Sequence, residues 1–330
     1  MIDIKTWGRA LDRMPKLSAT EWGDLDPVAK WLIACRASVL FMTFTAAVLG
    51  GLMAWRAGAF HPDLWLAAVV GLLFAHATNN LLNDYIDSRR GIDRENYYRN
   101  QYGVHVLEDG LMSEQQFWRY LGVTALVALA LGGWLIAQRG GITLNLALAG
   151  AFFVVFYTWP LKYYGLGEPA VLLVWGPLMV GGTYYVTTGT WGWLVTLLSL
   201  VFALGPTTVL FGKHTDKLEV DRAKGVNTLP VIIGESRSRH WVLAMIASQY
   251  LLCGGLVLSG AFGWPLLLVF AGLPALPRLF DVYGSPRPRT MPPDYPGDIW
   301  PLWFSAHAFR HTRRFTSLFL AGVLLDTLLR

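Results

Sequence analysis

Charge is scarce in this chain. Only 15% of its 330 residues are Asp, Glu, Lys or Arg, against about 25% in soluble globular domains. That shortage, with 54% hydrophobic residues and a mean hydropathy of +0.41, argues against a soluble domain and for one multi-pass membrane domain. Cysteine is almost absent. Cys35 and Cys253 both stand inside apolar runs and no C-x-x-C pair exists, so neither a disulfide framework nor a thiolate metal site is expected. The first 30 residues mix Asp, Lys, Arg and Trp and contain no apolar h-region, which argues against a cleavable signal peptide. Residues 1–30 read as a cytoplasmic, partly amphipathic N-terminal segment near a membrane surface. There is no low-complexity stretch. The net charge of +5 is modest and fits basic cytoplasmic loops better than a nucleic-acid partner. His307-Ala-Phe-Arg-His311 has metal-like spacing but lacks the Glu of a zinc-protease helix.

Long hydrophobic runs, by contrast, fill the chain. Stretches of about membrane-spanning length recur near 31–56, 62–87, 117–138, 142–161, 167–188, 190–211, 238–260, 263–280 and 314–329. The eighth is interrupted by prolines and the last is short. The 15 Trp suit membrane interfaces. The expected fold is therefore all-α, a multi-pass membrane bundle of about nine transmembrane helices, with residues 31–330 as a single domain. Long charged connections (the N-terminus, 88–116, 162–166, 212–237 and 281–313) alternate with short, nearly uncharged ones. Lys and Arg crowd the long set, which the positive-inside rule assigns to the cytoplasm.

Two acidic motifs close the second and sixth spans. The first is Asn80-Leu-Leu-Asn83-Asp84-Tyr-Ile-Asp87-Ser-Arg-Arg-Gly-Ile-Asp93. At 100° per residue Asn80, Asn83, Asp84 and Asp87 share roughly one third of a helix circumference. Carboxylates do not face lipid cheaply, and a cluster of this kind suits Mg²⁺. The second motif is Lys213-His214-Thr215-Asp216-Lys217-Leu218-Glu219-Val220-Asp221-Arg222. Both fall on the expected cytoplasmic side, where they read as a site for a metal-bound diphosphate. Asp84, Asp87, Asp93, Asp216 and Asp221 are the candidate metal ligands, with Asn80 and Asn83 as neutral ligands to metal or phosphate. Arg94, Lys162, Lys213, Lys217 and Arg222 are candidate phosphate partners. Cleavage of a prenyl diphosphate leaves an allylic cation and needs divalent metal and fixed positive charge on the leaving group.

The pattern N-x-x-N-D-x-x-D-x-x-x-G-x-D, followed by D-R-A-x-G-x-x-T-L-P-V, resembles the UbiA superfamily of intramembrane prenyltransferases. Tyr157-Thr-Trp-Pro-Leu-Lys162 is similar to the family's Tyr…Lys loop motif. Gly165-Leu-Gly-Glu168, Gly182-Thr-Tyr-Tyr185 and the wide Asp87–Asp93 spacing resemble the branch that prenylates 1,4-dihydroxy-2-naphthoate in menaquinone synthesis. Arg36 matches a family Arg near the start of the first helix. The resemblance implies a nine-helix bundle with Mg²⁺, a cytoplasm-facing cavity, and a lipid tail entering from the bilayer. It implies catalytic roles for Tyr157 and Lys162 and a substrate-binding role for Arg36. Asp93 or a neighbouring base is the candidate acceptor of the aromatic proton. The second motif departs from the usual D-x-x-x-D, because Asp216 and Asp221 are five apart and would point about 140° apart on one helix. Either Asp221 lies past the helix end or Glu219 replaces it.

The expected activity is Mg²⁺-dependent transfer of a polyprenyl group from a polyprenyl diphosphate to a small aromatic acceptor, a quinone precursor, at the cytoplasmic face of the inner membrane. Prenyl transfer to a glycerophospholipid precursor, phosphosugar or tetrapyrrole is the alternative within enzymes. A cation- or proton-coupled transporter is the alternative of another class. Carboxylates at span ends rather than mid-span favour the enzyme.

Overall fold

The computed structural model describes residues 3–93, 103–297 and 299–329. Among these, all regular elements are helical, and the β pairing is a single isolated bridge, Tyr164 to Asn227. Seven helical segments are long and apolar enough to cross a membrane: Ala37–Arg56, Pro62–Arg89, Glu114–Arg139, Gly167–Thr188, Trp193–Asp216, Glu235–Leu258 and Trp264–Gly284. The two other expected spans are also helices. Thr143–Phe156 is apolar but only 14 residues long. Phe304–Leu328 has 25 residues but carries Arg310, Arg313, Arg314 and Asp326. The proline-broken span begins as a 3₁₀ helix, Trp264–Ala275, with Pro265 and Pro274 inside it, and continues as Leu276–Gly284. Proline removes a backbone donor, so a regular α-ladder cannot run through it.

Described residues fall into two compact units. The first comprises Met1–Thr45 and Leu66–Trp159. Its core gathers Trp22, Ile33, Cys35, Ala77, Leu81, Val106, Phe117 and Leu121. The expected N-terminal surface segment thus supplies part of a packed core. It folds as three short helices, Ile4–Asp12, Ala19–Asp24 and Pro27–Ala34. Ser18 closes a capping box with Glu21. Asp26 is the hub. Its carboxylate accepts N–H bonds from Val28 (2.9 Å) and Ala29 (3.0 Å), capping the third helix. It also accepts from the Asp3 backbone (3.1 Å) and the Trp7 indole (3.0 Å).

The second unit comprises Ala46–Trp65 and Pro160–Arg330. Its central helix, Trp193–Asp216, packs against Phe304–Leu328, Glu235–Leu258 and the π-helical stretch Val174–Gly181. Small residues permit these approaches. A Cβ on Gly212 would stand 2.7 Å from the Ser305 nitrogen and 2.9 Å from the Phe304 carbonyl carbon. One end of the unit is tied by Arg56, which lies 3.2 Å from Asp326, donates to the Ala261 carbonyl at 2.6 Å, and stacks on Phe262. Cys253 is buried here and Cys35 is buried in the first unit, and both are free.

Two outcomes follow. Burial opposes the charged form of Asp26, but the Ala29, Asp3, Trp7 and Val28 donors outweigh it and hold its pKa below the ordinary carboxylate value. A depressed folded-state pKa means that this tether is intact at neutral pH and lost as pH falls through that low value. Trp7 fluorescence and proteolysis of residues 1–30 will change only below the normal carboxylate range, and Asp26→Ala will shift that change to neutral pH. Gly212→Ala places a methyl against unyielding backbone. It will destabilise the protein by about 1–3 kcal/mol, read as a lowered unfolding temperature in detergent, whereas Gly255→Ala, in open space, will not.

Candidate active-site motifs

The first motif is carried by the C-terminal end of the Pro62–Arg89 helix and the turn that follows. Apolar residues hold this helix through the core, so its polar face must be satisfied by protein partners. Arg36 does most of this. It is the one described non-glycine residue with a left-handed backbone, φ 56°, which breaks the chain between Pro27–Ala34 and Leu40–Arg56. From there its guanidinium donates to the Asn80 carbonyl (3.0 Å) and to the side-chain oxygens of Asn80 and Asn83 (3.3 Å each). It also lies 3.4 Å from an Asp84 oxygen. Asn80 donates back to the Cys35 carbonyl (2.9 Å), and Asn83 donates to Thr158 (3.0 Å). Arg36 therefore orients the motif, and the two amides are fixed by named partners.

Asp84, Asp93 and His105 each offer a ligand atom within 4.8 Å of one another. This donor set fits a small divalent cation, which takes oxygen and imidazole ligands. Asp87, also buried, is one helical turn beyond Asp84 and outside that trio. The sequence offered one clue to His105, its place in the loop after the motif. Its backbone N–H donates to Asp109 (2.8 Å), and its Nδ1 accepts the Glu108 N–H (3.3 Å). Its Nε2 faces an Asp93 oxygen at 3.2 Å. His105 and Asp93 thus stand at ion-pair distance without a hydrogen bond between them. Arg94 lies outside the described residues. Tyr157, half-buried, follows the Thr143–Phe156 helix next to the Thr158 that anchors Asn83.

The second motif differs from its expectation. The Trp193–Asp216 helix stops at Asp216, Lys217 is the break, and Leu218–Ala223 starts a new short helix. Asp221 therefore lies past the helix end, the first of the two alternatives that its spacing left open. Glu219 is no replacement, because it is exposed and pairs with Arg222 at 2.9 Å. Arg222 is correspondingly a surface residue. Asp216, a candidate metal ligand, caps another helix. Its oxygens accept the Phe304 N–H (2.9 Å), the Ser305 N–H (3.0 Å) and the Ser305 hydroxyl (2.8 Å). These donors sit at the positive end of Phe304–Leu328, where an anion is favoured. Asp221, also expected as a ligand, is buried against Lys217, 3.1 Å away. Lys213 is half-buried on the last turn of its helix.

Lys162 is buried in a short 3₁₀ turn, Leu161–Tyr163, with its ammonium 5.6 Å from the Tyr163 ring centre. The Gly165-Leu-Gly-Glu168 motif explains itself structurally. Gly165 has φ 73°, which turns the chain so that Glu168 points inward. Glu168 pairs with His214 Nδ1 at 2.6 Å and accepts the Leu229 N–H at 3.4 Å. One carboxylate thus joins the Lys162 loop, the second motif and the Thr228-Leu-Pro-Val231 stretch. Sequence pattern had singled out Glu168 without a role. Glu168→Ala will strand the buried His214 and cost about 1–3 kcal/mol of stability, read by thermal unfolding, and Glu168→Gln will cost less.

The UbiA prenyltransferase family matches residues 42–289 of this chain. A 1,4-dihydroxy-2-naphthoate octaprenyltransferase from Escherichia coli strain K12 is 29% identical over 252 residues, covering 72% of this chain and 80% of that protein. An apo UbiA homologue from Aeropyrum pernix K1 superposes with a TM-score of 0.63 at 16% identity, covering 88% of this chain and 98% of the other. A UbiA homologue from Archaeoglobus fulgidus, solved with DMAPP and Mg²⁺, gives a TM-score of 0.55 at 14% identity, covering 88% and 99%. These structures establish the fold. The matched span holds both acidic motifs, the Lys162 loop and, apart from the first turn of Ala37–Arg56, the helices long enough to cross a membrane, and the chain is an integral membrane protein belonging to the UbiA prenyltransferase family.

Proposed function

We propose that this prenyltransferase transfers a polyprenyl group from its diphosphate to 1,4-dihydroxy-2-naphthoate or a closely related aromatic quinone precursor, in a Mg²⁺-dependent reaction at the cytoplasmic face of the inner membrane. Residues 31–330 form the catalytic domain. The observation that carries the reading is the convergence of Asp84, Asp93 and His105 within 4.8 Å, on a motif whose pattern is that of the family. The similarity to the Escherichia coli naphthoate octaprenyltransferase supports the acceptor, and the DMAPP- and Mg²⁺-bound homologue supports the donor and the metal.

Asp84, Asp87 and Asp93 are the proposed ligands. Mg²⁺ held by them would offset the charge that builds on the departing diphosphate. Arg36, Asn80 and Asn83 keep the ligand face in register, and His105 stands beside Asp93. Lys162, Lys213 and Lys217 neutralise phosphate oxygens as compact cations. The allylic C–O bond breaks, the electron pair leaves with diphosphate, and an electron-rich ring carbon of the acceptor forms the new C–C bond. The ring proton then leaves to a nearby base, and Tyr157 lines the acceptor's approach. Asp93, the sequence-based candidate for that base, is better used as a ligand, because its carboxylate lies within 4.8 Å of the ligand atoms of Asp84 and His105.

Purified protein with geranylgeranyl diphosphate and 1,4-dihydroxy-2-naphthoate will release diphosphate only when Mg²⁺ is present, and EDTA will stop it. Asp84→Ala will lower turnover by at least about a hundredfold, roughly 2.7 kcal/mol in the barrier, while the protein still elutes as a folded species in detergent. Metal-independent release, or wild-type turnover in Asp84→Ala, defeats the proposal.

A further inference from the structure

The end of the Pro62–Arg89 helix has a second face. Helix geometry turns Tyr85, Ile86, Arg89 and Arg90 roughly 140° away from the mean direction of Asn80, Asn83, Asp84 and Asp87. This face borders an open groove of about 330 Å³, shared with the end of the Thr143–Phe156 helix and the turn after it. Ile86, Val155 and Phe156 give the groove apolar walls, and Arg89, Arg90 and Trp159 line it where the two helices end. All of these residues belong to the first unit. Asn79 donates to the Val154 carbonyl and Asn83 to the Thr158 hydroxyl, each at 3.0 Å, and these bonds hold the two helix ends side by side.

Val155, Phe156 and Trp159 are 41–49% exposed, so protein does not cover the walls. Both helices are apolar up to this point, and Pro62–Arg89 is long enough to cross a membrane. The walls therefore meet acyl chains and the rim meets headgroups. The rim is basic. Arg90 stacks over the Trp159 ring at 4.9 Å. A stacked guanidinium carries its N–H groups in its own plane, the fork that matches a phosphate. Arg89 donates to the Tyr85 hydroxyl at 3.2 Å and pairs with Glu114 at 2.5 Å. Two guanidinium charges against that one carboxylate leave the rim positive. Apolar walls under a basic rim, between membrane-spanning helices, suit an anionic lipid headgroup and its tail. A prenyl diphosphate lying here would hold its phosphates away from the Asp84 face.

We propose that this groove binds one anionic phospholipid of the adjoining leaflet, with its phosphate on Arg90 and Arg89 and an acyl chain along Ile86, Val155 and Phe156. The lipid braces, from its outer side, the helix end that carries Asp84 and Asp87. The proposal stands apart from the metal-dependent reading, since none of the groove residues belongs to the metal or phosphate set named there.

The test uses the full chain, delipidated in detergent, with dioleoylphosphatidylglycerol as the probe and dioleoylphosphatidylcholine as the zwitterionic control. Unfolding temperature and the lipid retained in native mass spectrometry are both read in EDTA, which silences any metal site. Phosphatidylglycerol is expected to raise the unfolding temperature saturably, with one copy retained, and phosphatidylcholine at the same concentration is not. Arg90→Ala is expected to raise the half-saturating concentration about tenfold or more, as for loss of a charge-assisted hydrogen bond. Trp159→Leu, which removes the stacking surface, is expected to raise it about threefold, and Asp84→Asn to leave it unchanged. Equal stabilisation by the two lipids overturns the proposal, as does a wild-type response in folded Arg90→Ala. An Arg90-dependent shift of the same size with inorganic phosphate marks a free-anion site and overturns it too. Displacement of phosphatidylglycerol by equimolar geranylgeranyl diphosphate assigns the groove to the prenyl substrate instead. Should Arg90→Ala not fold, Trp159→Leu decides by the same comparison.

Discussion

A charged side chain carried into an apolar helix bundle has to meet a partner there, because nothing else compensates its lost hydration. That requirement organises the functional residues of this protein. Asp84 meets Arg36, Asp93 meets His105, Glu168 meets His214, and Asp221 meets Lys217. Asp216 meets the backbone donors of a helix start. Each pairing also fixes geometry. The left-handed turn at Arg36 exists to bring one guanidinium across four oxygen atoms of the first motif.

The two acidic motifs look alike as text and differ as chemistry. In the first, Asp84, Asp93 and His105 form a compact donor group. In the second, the partners are a lysine ammonium, an arginine at the surface and the N-terminus of a helix. Only three-dimensional packing reveals this, because the donors to Asp216 come from residues 304 and 305, far along the chain.

Small residues and helix breaks do the positioning. Gly212 lets the central helix of the second unit touch the backbone at Ser305, and that closeness is what allows Asp216 to reach the helix start. Gly165 turns the Lys162 loop so that Glu168 can join His214 and Leu229. Three motifs that read as separate signatures, the Tyr…Lys loop, Gly165-Leu-Gly-Glu168 and Thr228-Leu-Pro-Val231, are thereby parts of one hydrogen-bonded assembly.

From sequence alone came the all-helical membrane architecture, the position of each long apolar helix, the prenyltransferase family, and Asp84 with its neighbours as the acidic face of a helix end. These are local or compositional properties: run length, period and motif spacing are written in consecutive residues. The tertiary structure decided what each charged group does. It made the N-terminal segment part of a core, set Arg36 against Asn80, Asn83 and Asp84, put His105 beside Asp93, and set Asp216 at a helix start and Asp221 against Lys217. Partner choice depends on distances between residues remote in the chain. A string of letters sets which charges exist, and folding sets which of them stand beside one another.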